Sequence, residues 1–146
     1  MNRFIVHYRK VFIAAALLLL PGLAQAQLAS LSITVVGLEP ADGTVEVSVF
    51  DSEENYLQTP LVQQSLAVEG KAELNFLFAG LLEGDYAVVV VHDANDNGML
   101  DTGFLGFGGE NYAFSNNASA LLGRPSFDSA RITVGTEDLD ITIDLN

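Results

Sequence analysis

The chain has 146 residues, no cysteine and no tryptophan, with 19 acidic residues against six basic ones. So acidic a surface repels phosphate backbones, which argues against nucleic acid as a partner. The lack of cysteine excludes disulfides and a lipid-modified N-terminal cysteine, so stability must come from the core, from metal, or from both.

The first 26 residues read as an export signal. Arg3, Arg9 and Lys10 precede the apolar run "VFIAAALLLL", Pro21-Gly22 breaks it, and "AQA" at Ala24–Ala26 offers a small-x-small cleavage pattern. The apolar run is about half the ~20 residues a spanning helix needs, so no membrane anchor is expected after cleavage. A periplasmic or secreted domain over 27–146 is expected. It would hold three basic residues, Lys71, Arg124 and Arg131, and all 19 acidic ones.

From residue 28 onward the pattern has the strand period of two. "LSITVVGL" puts Leu31, Ile33 and Val35 on one face, and "TVEVSVF" does the same with Val45, Val47 and Val49. "EPADG" between them is a turn with a proline and an Asp-Gly pair. "YLQTPLVQQSL" fits either a loop with a short helical turn or an edge strand, since Pro60 is unsuited to a central one. "KAELNFLF" presents Leu74, Phe76 and Phe78. "AVVVV" is apolar on both faces and is expected at the centre of its sheet. At its entry Tyr86 is a candidate tyrosine corner, the alternative being an ordinary core tyrosine. "ARITV" and "DLDITIDL" complete the pattern. The expected fold is all-β: a two-sheet antiparallel sandwich of about seven strands, immunoglobulin-like or transthyretin-like, with Greek-key connections. One long ordered loop, Gly98 to Phe127, rich in glycine and aromatics, is expected to pack over one end.

The central strand runs into "HDANDNGMLD". With Asp93 as position one, Asn95 falls at three, Asn97 at five, Gly98 at six, Met99 at seven and Asp101 at nine, the spacing of an oxygen-rich calcium loop. Alternate residues of a tight loop can aim oxygens at one centre, and the carbonyl of Met99 can join them. Phe104 at position twelve and the preceding strand exclude an EF-hand. Glu110 is the nearest carboxylate that could complete the set, and the expected affinity is weak, about 10⁻⁴–10⁻³ M. The competing reading is a solvated turn built on Asx hydrogen bonds. His92 is the only histidine beyond the leader and reads as a strand-end residue. A hydrolase site on 92–117, built from His92, Glu110 and Ser115, is the enzymatic alternative, with no nucleophile elbow to support it. A purely structural envelope protein is the third reading.

"GDYAVVVVHDANDNGMLDTGFLGFGGENYAFSNN", followed by "GRPSFDSARITV", resembles an exported bacterial family known only as domain of unknown function 2141. The likeness runs from about Leu31 to Leu145. It implies a signal peptide and one sandwich domain, and it carries no established activity. The acidic-loop residues are kept, as are Glu110, Phe114, Ser115, Asn116 and Asn117. Gly108 stands where the family tends to have proline, and Ala113 where it tends to have glycine. Tyr112, Phe114, Ser115, Asn116 and Asn117 are the expected contacts for an envelope or extracellular protein or glycan.

Overall fold

The structure is a computed structural model that describes residues 27–39, 41–98, 109–121 and 123–146. The expected signal segment lies outside the described residues, as do Met99, Asp101, Phe104 and Phe107.

Among the described residues, eight strands form two sheets. The smaller holds β1 (Leu28–Val36), β4 (Glu73–Leu82) and β8 (Leu139–Asp144) in the order β4-β1-β8. The larger holds β2 (Thr44–Phe50), β3 (Val62–Ala67), β5 (Gly84–Asp93) and β6 (Asn111–Phe114) in the order β3-β2-β5-β6. β7 (Arg131–Val134) is also paired to β5. The chain is thus the all-β sandwich its alternation predicts. Among the described residues all pairings are antiparallel except that of β1 with β8, which is parallel. Among the described residues no helix is long and apolar enough to cross a membrane.

The inward rows are those the period of two selects. Leu31, Ile33 and Val35 of β1 meet Val45, Val47 and Val49 of β2, with Phe76, Val88 and Val90 between the sheets, all at most 2 % exposed. Full burial of each such side chain contributes about 1.5–3 kcal/mol relative to exposure. The outer face of the larger sheet carries a second apolar cluster, which explains why "AVVVV" is apolar on both sides. Ala87, Val89, Phe50 and Phe114 lie there under Tyr56, Phe127 and Ala130. Tyr56 stands edge-on to Phe50 and Phe127, with centroids 5.5 and 5.8 Å away, and so folds the segment after β2 back onto the sheet. Pro60 lies just outside β3, an edge strand with one side unpaired, where a missing N–H does no harm.

The crossover from β4 to β5 passes between sheets in a few residues. Tyr86 Oη donates to the carbonyl of Leu82, four residues back, at 2.9 Å, the geometry of a tyrosine corner. Tyr86→Phe is therefore expected to lower stability by about 1 kcal/mol with the fold unchanged, read as a shift in the urea midpoint at constant slope. An unmoved midpoint would reduce Tyr86 to a core filler.

The long segment expected as a loop is more structured than its glycines suggest. After the acidic stretch it supplies edge strand β6, a single 3-10 turn at Ser115–Asn117 and a four-residue helix, α1, at Phe127–Ala130. Ser126 caps α1, its Oγ accepting the N–H of Ser129 at 3.2 Å.

Candidate functional site

The acidic loop begins where β5 ends. Asp93 accepts backbone N–H groups, among them those of Asn97 at 3.2 Å on Oδ1 and of Gly98 at 2.7 Å on Oδ2. Asn95 Oδ1 accepts the same Asn97 N–H at 3.0 Å. Asp96 and Gly98 take positive φ, 55° and 72°, which closes the turn. The loop thus contains the Asx hydrogen bonds of the simpler reading. They do not exhaust it, because an ionised carboxylate has about four acceptor sites.

Register brings Glu110 to this loop. β5 and β6 pair with His92 opposite Asn111, so one step further along Asp93 faces Glu110. The two carboxyls are in hydrogen-bond contact. Desolvation pushes the Asp93 carboxyl up, but the N–H groups of Gly98 and Asn97, the Glu110 side chain and the Asp96 N–H outweigh it. The net effect holds Asp93 below its ordinary value. Of the expected ligands, Asp93 and Glu110 are brought together; Asn95 and Asn97 share the turn; Met99 and Asp101 lie outside the described residues. Among the described residues no three His, Asp or Glu side chains gather closely enough to hold a metal ion by themselves.

The turn between β1 and β2 supports the loop from below. Gly43, at φ 81°, lies against the backbone of Asp93 and Ala94. His92 is 1 % exposed and its Nε2 is 2.7 Å from the carbonyl of Asp42, so that nitrogen carries the proton and donates. Asn111 Nδ2 donates to the carbonyl of Glu39 at 3.4 Å. His92 is a buried strut between turn and strand.

Ser115 is also buried, at 1 % exposure. β6 pairs with Val89 to His92 and β7 with Gly84 to Ala87, leaving Val88 between them. Ser115 Oγ closes that gap, accepting the Val88 N–H at 2.8 Å and donating to the carbonyl of Ala130. Val88 and His92 are four residues apart on one strand, about 13 Å, so His92 and Ser115 do not form a nucleophile–base pair. Nor can Ser115 meet a ligand at the surface, contrary to expectation. Asn116 and Asn117 take positive φ, 56° and 50°, and Asn116 Nδ2 donates to the carbonyl of Ser129 at 3.0 Å. "SNN" is a splice joining β6, α1 and β5, a role its polar composition did not reveal.

Tyr112 and Phe114 take a different position. Opposite Val91 and Val89, they form cross-strand rows on the outer face of the larger sheet, with their own rings 5.9 Å apart and edge-on. These rows floor a groove of about 370 Å³ that also takes in Glu46, Ser48 and Arg124. Sequence reasoning missed Glu46 and Arg124. The signal for Glu46 was its outward place on β2, beside a strand apolar on both faces.

Fold and site define a small β-sandwich domain with an acidic loop at one end and a groove on its larger sheet. Residues 33–142 match the family described as "Uncharacterized protein conserved in bacteria (DUF2141)", and the chain belongs to that family. No curated protein and no solved structure matches the chain.

Proposed function

We propose that this is an exported, non-catalytic binding module whose Asp93–Asp101 loop is ordered by a calcium ion. The leader-like first 26 residues support export to the periplasm or beyond. The contact between Asp93 and Glu110 carries the calcium reading. Two carboxyl groups in contact need a positive charge between them, a proton or a metal ion. Asn95, Asn97, the Met99 carbonyl and Asp101 would complete an oxygen shell. The ion's work is structural: it ties the end of β5 to the start of β6. The segment from Asp93 to Phe127 is the working surface toward an envelope or extracellular partner.

Thermal unfolding in about 10 mM calcium and in chelator tests the proposal. For a dissociation constant of about 10⁻⁴–10⁻³ M, calcium adds about 1.4–2.7 kcal/mol. Asp93→Ala abolishes the difference between the two conditions, whatever it does to the metal-free protein. The gain persists into mild acid and fades as pH falls through the depressed Asp93 value, since only the ionised carboxylate binds metal. Equal melting in calcium and chelator would reduce the loop to a turn.

A further inference from the structure

The groove on the larger sheet contains two opposite charges that do not meet. Glu46 and Arg124 both line it, yet no ion pair joins them. Arg124 forms no ion pair among the described residues, whereas Lys71 and Arg131 both do. Among the described residues, then, Arg124 is a guanidinium without an ion pair beside an apolar floor, in a chain rich in carboxylates. Arg binds carboxylates through a planar fork of donors. The same groove is lined by the apolar side chains of Val89, Val91, Tyr112 and Phe114. Its volume, about 370 Å³, falls in the range of small-molecule sites, which are mostly apolar with a few placed polar groups.

An amphipathic anion would satisfy Arg124 but would meet Glu46 and the acidic surface. An occupant with separated opposite charges and an apolar body meets all three features. We propose that the groove binds a short apolar peptide with both termini free, its carboxylate on Arg124, its ammonium on Glu46 and its side chains on the valine–aromatic floor. The proposal rests on the reading of the domain as a binding module and is independent of calcium.

The test is a titration of the protein with leucylphenylalanine, followed by the methyl NMR signals of Val89 and Val91. Those signals are expected to shift saturably. Amidating the peptide carboxylate weakens binding about tenfold or more in the wild type but not in Arg124→Gln. Acetylating the amine weakens it severalfold in the wild type but not in Glu46→Gln. That second arm separates a free peptide from a protein's C-terminal tail, which brings a carboxylate without a neighbouring ammonium. No saturable shift up to about 10 mM overturns the proposal, as does equal weakening in wild type and matched variants. Saturable shifts confined to residues 109–111 overturn the groove but leave the binding-module reading standing.

Discussion

Gly43→Ala is expected to destabilise the protein by about 3 kcal/mol or more and to loosen the acidic loop. A Cβ at Gly43 would overlap the carbonyl oxygen of Asp93 and come within 2.7 Å of Ala94 Cα, both backbone atoms of the loop's root. It would also hold a non-glycine residue at φ 81°. Gly70→Ala is the matched control, because Gly70 shares the positive φ, 75°, but a Cβ there meets nothing within 4 Å. Its cost is conformational only, about 1–2 kcal/mol. Chemical denaturation of both variants separates contact from conformation, and hydrogen exchange at Asn97 and Gly98 reports whether the Asp93 hydrogen bonds survive. Equal costs at the two glycines would show that the turn does not press on the loop.

Ser115→Ala is expected to cost about 2–3 kcal/mol, more than an ordinary hydrogen-bond deletion. It leaves the Val88 N–H without its acceptor in the middle of the larger sheet and removes the donor to Ala130. The penalty is that of a buried, unsatisfied amide, which exceeds the net worth of a typical bond. Faster exchange of the Val88 amide should accompany it, with exchange across the smaller sheet unchanged. A loss below about 0.5 kcal/mol would mean that water or a shifted strand fills the gap as well as the hydroxyl does.

Neither role is foretold by the sequence, although much of the fold around them is. Strands β1, β2, β4, β5 and β8 are legible because alternation of buried and polar residues is a local signal. Tyr86 is legible because its corner closes over four residues. The Asp93 loop is legible as a list of oxygens, and Glu110 as the nearest further carboxylate. Their contact follows from the β5–β6 register, which the four-residue strand Asn111–Phe114 is too short to announce. The role of Ser115 depends on where two other strands stop, and that of Gly43 on a loop fifty residues away. Such contacts leave no periodic trace. The polar "SNN" therefore suggested a ligand surface, where its Ser and first Asn serve as internal hydrogen-bonding groups.

The parallel pairing of β1 with β8 has a mechanical consequence. The pairs from Leu31–Leu139 to Val36–Asp144 run in one direction, so the two ends of the folded domain leave the smaller sheet on opposite sides. Tension applied between those ends acts along the strands and loads all the rungs together in shear, with no single rung opened first. β1 is held on its other side by β4 through nine further residue pairs, so drawing it out must break two ladders. A domain joined this way resists stretching between its termini far better than its modest size implies. Pulled instead across β2 and β3, whose antiparallel ladder opens at one end, it would yield rung by rung.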